Sequence, residues 1–184
     1  AGVCCWSATD ASVGADLSGL PPTGVHALAE DAEGTVWLGT DQGLWRWAAG
    51  RTERCRLPGA PGDVAVLAIA RDAAGSIWVS RGDGQGLCRL SGDRAQVYGD
   101  ELNLPWPSVT ALAASPSGLL WAGAATGVTC FDGHRFRGFT VSDGLPHNHV
   151  TALCVDRDEA VWVAGQTAGV CRGEGRRLVP YLDK

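Results

Sequence analysis

The chain has 184 residues, with 15 lysines and arginines against 20 aspartates and glutamates, and a formal net charge of −5. It lacks the basic excess that nucleic-acid binding depends on, so nucleic acid is not an expected partner. Hydrophobic residues make up 45% of the chain, which argues against disorder and allows one large domain or two small ones. No apolar run approaches the ~18 residues of a membrane span, so no span is expected in this segment.

A tryptophan inside a short apolar run recurs four times. The copies are Trp37, Trp78, Trp121 and Trp162, at intervals of 41, 43 and 41 residues. Six residues before each copy is a side chain that can hydrogen-bond a turn: Asp31, Asp72, Ser115 and Asp156. Three residues before each is Gly34, Gly75, Gly118 or, in the last copy, Glu159, where we expect a different turn. Each copy therefore predicts two strands joined by a tight turn.

Downstream of each tryptophan, a glycine opens a third strand, and a polar, basic stretch follows as an outer edge strand. A repeat of ~40–45 residues with four strands is the signature of a β-propeller blade. We therefore predict an all-β propeller of four-stranded antiparallel blades, with no helix. About four and a half blades are expected, as an incomplete ring or a fragment: a half blade of third and fourth strands at residues 1–20, then blades at residues 21–61, 62–104, 105–145 and 146–184.

The order Gly-Leu-Pro, Val-x-Ala-Leu, Asp-x-x-Gly, Trp-x-Gly-Thr, Gly-Leu resembles the two-component regulator propeller repeat. The copies at residues 25–44 and 143–170 match it most fully, whereas Ser80, Arg81 and Ala124 depart from the Gly-Thr pair. The resemblance implies an extracytoplasmic, periplasmic sensor module of a bacterial signalling receptor, many of which respond to glycans. It also implies an output domain elsewhere.

The seven cysteines are expected to serve packing rather than disulfides or metal sites. Cys4, Cys88 and Cys171 fall on the third strands of different blades, too far apart to pair. Cys154 replaces alanines of the other copies and is expected to be a small buried hydrophobe. That many thiols also leave a cytoplasmic location open. The four repeat tryptophans are expected to be blade core.

Ligand-binding residues are expected on one rim of the propeller, in the loops between second and third strands and between successive blades. Aromatic, amide and charged groups there suit a small molecule or an oligosaccharide. The candidates are Arg81, Asp83, Gln85, Asn103, Trp106, His147, Asn148, His149 and Gln166. His26, by contrast, is expected to be a packed, hydrogen-bonded side chain. We expect no catalytic residue, no metal site and no cofactor.

Two other functional classes remain open. The first is a protein–protein interaction scaffold, whose partner is the remaining blades of the ring, another copy of the chain or another protein. The second is an enzyme that resembles the streptogramin-type propeller lyases, which have related Asp-Gly-x-x-Trp repeats. Such a lyase needs histidine and acidic side chains converging on the rim, and only His147, His149 and Asp83 come near that requirement.

Overall fold

The computed structural model describes residues 19–21, 23–60, 62–99, 104–167, 169–174 and 177–181. These residues form four sheets, each of four antiparallel strands in sequential order, which we call blades 1 to 4. Blade 1 contains β1 (Val25–Glu30), β2 (Val36–Thr40), β3 (Gly43–Ala48) and β4 (Arg51–Cys55). Blade 2 contains β5 (Val66–Arg71), β6 (Ile77–Arg81), β7 (Leu87–Ser91) and β8 (Arg94–Tyr98). Blade 3 contains β9 (Val109–Ala114), β10 (Leu120–Ala124), β11 (Gly127–Phe131) and β12 (Phe136–Phe139). Blade 4 contains β13 (Val150–Val155), β14 (Val161–Gly165), β15 (Val170–Glu174) and β16 (Arg177–Tyr181).

The prediction of an all-β propeller with four-stranded antiparallel blades is confirmed, with one local exception. Residues Val141–Asp143 form a single 3₁₀ turn, which Thr140 caps and Gly144 ends in the left-handed region at φ 104°. No helix in the described part of the chain is long and apolar enough to cross a membrane. The half blade expected at residues 1–20 lies almost entirely outside the described residues.

An aspartate ties the turn between the first two strands to the blade tryptophan. In blade 2, Asp72 Oδ1 accepts from the backbone nitrogens of Ala74 and Ser76 at 3.0 and 2.8 Å. Asp72 Oδ2 accepts from Trp78 Nε1 at 2.9 Å. The same carboxylate-to-indole bond recurs in blade 1 from Trp37 to Asp31 and in blade 4 from Trp162 to Asp156. One side chain therefore closes the turn and satisfies an indole N–H of the sheet.

Blade 3 lacks this bond because Ser115 replaces the aspartate. The Ser115 hydroxyl accepts from Leu119 N at 3.1 Å but does not reach the indole, so Trp121 Nε1 is buried without a hydrogen-bond partner. The neighbouring strand changes with it. In blade 2, Arg89 lies opposite Trp78 in the sheet register and forms an ion pair with Asp72. In blade 4, Arg172 lies opposite Trp162 and forms an ion pair with Asp156. In blade 3, the residue opposite Trp121 is Cys130. Blade 3 has therefore exchanged a charged pair for a neutral one.

The expectation of a different turn at Glu159 is wrong. Glu159 adopts φ 63°, close to the 78°, 82° and 92° of Gly34, Gly75 and Gly118. Its backbone nitrogen donates to Asp156 O at 3.0 Å, as Gly75 N donates to Asp72 O at 2.9 Å. The Asp156 hydrogen bonds and the sheet fix the turn, so the glutamate tolerates a backbone conformation that favours glycine.

Within the described residues, three clusters of buried side chains form layers between successive blades. Leu44 of blade 1 meets Val66 and Val79 of blade 2, and Trp78 of blade 2 meets Leu120 of blade 3. The third layer joins the Trp121 face of blade 3 to Val150, Val161 and Val163 of blade 4. Each blade thus has a front face towards the preceding blade and a back face, which carries its tryptophan, towards the next.

The burial of each blade tryptophan depends on what packs against the back face of its blade. Trp78 and Trp121 are 2% and 3% exposed, while Trp37 and Trp162 are half-buried. The expected burial of Cys154 is wrong: its side chain is exposed on the same back face of blade 4 as Trp162. The counterpart of Cys154 in blade 2, Ala70, is buried because blade 3 packs on it. All five described cysteines are free thiols, and Cys4 lies outside the described residues.

Candidate functional site

Two sets of loops meet at one end of the blades. They are the turns after β2, β6, β10 and β14 and the linkers that precede β1, β5, β9 and β13, and together we call them the rim. Backbone hydrogen bonds join a turn to a linker in three blades, from Asp41 N to Gly24 O, from Gly82 N to Ala65 O and from Gln166 N to His149 O. The rim is therefore a backbone-bonded surface on which side chains of all four blades are held.

Every innermost strand carries a β-bulge close to the rim. The register shifts between Val25 and Ala27 in blade 1 and at the equivalent point of the other three blades. A bulge turns one side chain out of the regular alternation. In blades 3 and 4 the bulge residues are Thr110 and Thr151, whose hydroxyls donate to carbonyls of the second strand. In blade 1 the bulge residue is His26.

His26 forms a polar pair with Asp41 of the β2–β3 turn. His26 Nε2 lies 2.6 Å from Asp41 Oδ1, and Asp41 Oδ2 accepts from Gly24 N at 2.8 Å. The hydrogen bonds from His26 and from Gly24 lower the pKa of the Asp41 carboxyl below its ordinary value. Because the two side chains are 36% and 56% exposed, the expected packed environment of His26 is wrong, although the expected hydrogen bond exists.

The sequence does distinguish this pair, because both residues differ from those at the equivalent positions of the other three repeats. An aspartate four residues after the blade tryptophan begins the β2–β3 turn only in blade 1, and a histidine occupies the bulge only there. The other copies have Gly82, Ala125 and Gln166 at the turn position. A carboxylate holds an imidazole in a fixed orientation and makes it a defined hydrogen-bonding group. The pair can therefore bind hydroxyl or amide groups of a ligand.

Arg81 is placed on the rim side of blade 2 but points inward. Its side chain is 3% exposed, and it donates to Asp83 and to the backbone carbonyls of Pro58 and Gly59 at 3.2 and 3.1 Å. The hydrogen bond from Arg81 lowers the pKa of the Asp83 carboxyl. Arg81 and Asp83 therefore anchor the long linker between blades 1 and 2, and only the neighbouring Gln85 presents an exposed side chain.

The candidates of blades 3 and 4 divide in the same way. Trp106 is half-buried against the backbone of its own blade, where a Cβ added at Gly138 would lie 2.7 Å from the ring. Asn148 Oδ1 accepts from Val141 N at 2.9 Å, and His147 Nδ1 accepts from His149 N at 3.0 Å. Gln166 is exposed. Asn103 lies outside the described residues.

The rim thus separates into anchoring and available groups. Arg81, Asp83, Trp106 and Asn148 hold loops in place, and His147 has one ring nitrogen engaged in that way. The available side chains include those of His26, Asp41, Gln85 and Gln166, and His149 is half-buried. In the described ranges no three histidine, cysteine or acidic side chains gather so as to hold a metal ion. The chemistry on offer is hydrogen bonding by amide, imidazole and carboxylate groups.

Two segments of the chain match the family model described as "Two component regulator propeller", at residues 19–42 and 144–167. These segments include the first two strands of blades 1 and 4, and they match the two-component regulator propeller repeat. The chain as a whole has the fold of propellers built from such repeats. No curated protein matches this chain in sequence.

Solved structures share the fold over most of this chain. The extracellular domain assigned to the hybrid two-component system BT4673 of B. thetaiotaomicron matches with a TM-score of 0.70 and 18% identity, covering 86% of this chain and 21% of that one. That of BT3049 from the same organism matches with a TM-score of 0.68 and 23% identity, covering 80% and 21%. Virginiamycin B lyase from Staphylococcus aureus matches with a TM-score of 0.69 and 18% identity, covering 86% and 55%. The chain therefore spans about a fifth of the two extracellular domains and about half of the lyase.

Proposed function

We propose that this chain is a non-catalytic ligand-sensing module of a bacterial two-component-type signalling receptor, that it acts outside the cytoplasm, and that it binds its ligand on the rim. The observation that carries the proposal is the pair of two-component regulator propeller repeats at residues 19–42 and 144–167. The fold shared with extracellular domains of hybrid two-component systems supports it.

A glycan is the ligand class that best fits the available rim groups. His26, Asp41, Gln85 and Gln166 offer donors and acceptors at the exposed end of the blades. Amide and carboxylate oxygens accept from sugar hydroxyls, while amide and imidazole N–H groups donate to them. These groups match a polyhydroxylated ligand better than a wholly apolar one.

The test is calorimetric titration of the chain with a panel of neutral and acidic oligosaccharides. We expect one member to bind, and we expect Gln166→Ala and Asp41→Ala each to weaken binding at least tenfold. His134→Ala is the matched control, since His134 is an exposed side chain in the β11–β12 turn at the opposite end of blade 3. Binding that the control weakens as much as the rim variants, or no binding by any glycan, contradicts the rim proposal.

An interaction scaffold is a second candidate because the back face of blade 4 is open. This open face contains Cys154, Trp162, Val170 and Val179, with Val170 and Val179 37% and 53% exposed. Leu87 of blade 2, the counterpart of Val170, is fully buried under blade 3. The front face of blade 1 is only partly open: Leu28 is 52% exposed there, but Leu38, its partner in register, is fully buried.

The occupant that we propose for this open face is the same face of a second copy. Such a contact would cover Val170 and Val179 of both copies, which are exposed in the single chain. Light scattering of the chain over a hundredfold range of concentration tests it. We expect a larger mass at high concentration that Val170→Asp abolishes, with Val141→Asp as the control at another exposed valine. A monomer throughout contradicts self-association.

A lyase is the alternative that the shared fold with virginiamycin B lyase raises. The described pair that comes nearest to acid–base chemistry is His26 with Asp41, at 2.6 Å. Incubation of the chain with a streptogramin B antibiotic, followed by mass spectrometry, tests it. Conversion of the antibiotic that His26→Ala abolishes would overturn the non-catalytic proposal.

A further inference from the structure

A cavity of about 410 Å³ lies between the outer strands of blade 1 and the linker that leads to blade 2. Its apolar lining comes from Leu44, Leu57 and Val64, and its polar lining comes from Arg54 and Arg56 on one wall. The volume falls within the range of about 300–1,000 Å³ that is usual for small-molecule sites. The cavity therefore has the size and the mixed lining of a ligand pocket.

Blade 2 fixes the linker that forms one wall of this cavity. Arg81, 3% exposed, donates from its two terminal nitrogens to Pro58 O and Gly59 O. Asp83 neutralises the guanidinium through two further bonds at 3.2 and 2.6 Å. A buried, hydrogen-bonded ion pair is costly to disrupt, so this wall keeps its position relative to the blades. The cavity is thus built by a defined anchor rather than by loose packing of a long loop.

The charged groups around the cavity favour an anion. Arg54 forms an ion pair with Asp63, which lies on the linker, and also contacts Gly62 O at 3.4 Å. Arg56 forms no ion pair with any residue that the structure describes. Both arginines therefore line the cavity, and only Arg54 has a carboxylate partner among the described residues, although the chain as a whole has a net charge of −5. A guanidinium binds a carboxylate with two parallel hydrogen bonds, which favours a planar anionic group over a neutral one.

We propose that this cavity binds a small organic carboxylate with a short aliphatic chain. The carboxylate pairs with Arg56, and the aliphatic chain lies against Leu44, Leu57 and Val64. Asp63 is a built-in competitor, because its carboxylate holds Arg54 and adds negative charge near the ligand. The cavity lies beside the rim, because the linker before β5 forms one of its walls, but its lining contains none of the side chains proposed to bind a glycan. The carboxylate proposal therefore does not rest on the proposed sensory function.

Calorimetric titration with pentanoate, with acetate and inorganic phosphate as comparison anions, tests the proposal. We expect pentanoate to bind more tightly than either comparison anion, because only pentanoate combines a carboxylate with apolar surface. Arg56→Gln should weaken pentanoate binding at least tenfold, and Asp63→Asn should strengthen it severalfold. Arg51→Gln is the matched control, since Arg51 is an exposed arginine at the start of β4, whereas Arg56 directly follows the end of that strand.

Three results would overturn the proposal. These are no pentanoate binding, equal affinity for pentanoate and phosphate, or equal losses in the Arg56→Gln and Arg51→Gln variants. Asp63→Asn guards against a folding artefact, because a variant that damages the site by misfolding cannot bind more tightly. Leu57→Asn gives a second arm, in which pentanoate binding should fall while the weak binding of acetate stays the same.

Discussion

Trp78 Nε1 donates to Asp72 Oδ2 at 2.9 Å, and this bond connects the β5–β6 turn to the most deeply buried ring of blade 2. The ring itself packs against Tyr98 and Phe131, with centroids 4.9 and 5.6 Å away. Phe131 belongs to blade 3, so the ring joins two blades. The aspartate therefore satisfies a donor in the layer that holds successive blades together, in addition to closing its turn.

Asp72→Ala should lower the free energy of unfolding by about 1–3 kcal/mol, because it leaves the buried indole N–H without an acceptor. Urea unfolding followed by tryptophan fluorescence measures the change. Ser115→Ala is the matched control, since the Trp121 N–H already lacks a partner in blade 3. We expect that variant to lose about 1 kcal/mol or less. Equal losses would mean that the indole bond contributes nothing.

The neutral pair of blade 3 should be convertible to the charged pair of its neighbours. Ser115→Asp alone buries a carboxylate without a counter-charge and should destabilise the protein. Adding Cys130→Arg supplies the arginine found opposite the tryptophan in blades 2 and 4. A double-mutant cycle measured in urea should give a favourable coupling energy of about 0.5–3 kcal/mol. Additive effects would contradict the inference that the two positions changed together.

Glu159→Gly should raise the free energy of unfolding by up to about 1 kcal/mol. Glu159 holds φ 63°, where a side chain is strained, and glycine removes that strain at the cost of a more flexible unfolded chain. Gly75→Ala is the reciprocal variant and should destabilise by about 1 kcal/mol. A Cβ at Gly75 would meet no atom within 4 Å, so any loss there comes from the backbone alone. A neutral result for both variants would contradict the argument.

The repeat alone determined the blades, because one tryptophan per ~40 residues and its fixed upstream positions leave little freedom for strands and turns. The repeat could not indicate which back faces are covered, so the exposed position of Cys154 was missed. Its pattern also describes what the copies share, whereas His26 and Asp41 are features of blade 1 alone. The direction of Arg81 was equally hidden, since its partners Pro58 and Gly59 lie 23 and 22 residues away in an irregular linker.

Stability should fall as the pH drops below about 4. Hydrogen bonds from Trp162 and from turn amides lower the pKa of Asp156. Burial raises the pKa of Asp31, but the hydrogen bonds that Asp31 accepts from Trp37 and from the turn amides outweigh burial, so the pKa of Asp31 is also lowered. A carboxyl whose pKa is lower in the folded state stabilises fully above its ordinary pKa of about 3.9 and loses that contribution as pH falls through the folded value.

The urea midpoint should accordingly be flat from pH 5 to 7 and decline from about pH 4 downwards. Asp156→Asn serves as the comparison, because it removes one of the titrating groups while it keeps an oxygen at that position. The variant should start from a lower midpoint at pH 7 and lose less of it on acidification. A midpoint that rises below pH 4 would reverse the sign and refute the assignment.

Native-state alkylation should distinguish the open back face of blade 4 from the closed layers. Cys154 is exposed there, whereas Cys88 and Cys171 are fully buried between blades, and burial raises the pKa of each of these two thiols to about 11. Since the thiolate is the reactive form, a thiol of that pKa is ionised to about one part in a thousand at pH 8. Pulsed iodoacetamide labelling with peptide mass spectrometry should therefore modify Cys154 first and the two buried thiols only in urea. Rapid labelling of Cys88 in the native protein would show that the layer between blades 1 and 2 opens readily. Protection of Cys154 at high protein concentration would indicate that another copy covers the open back face of blade 4.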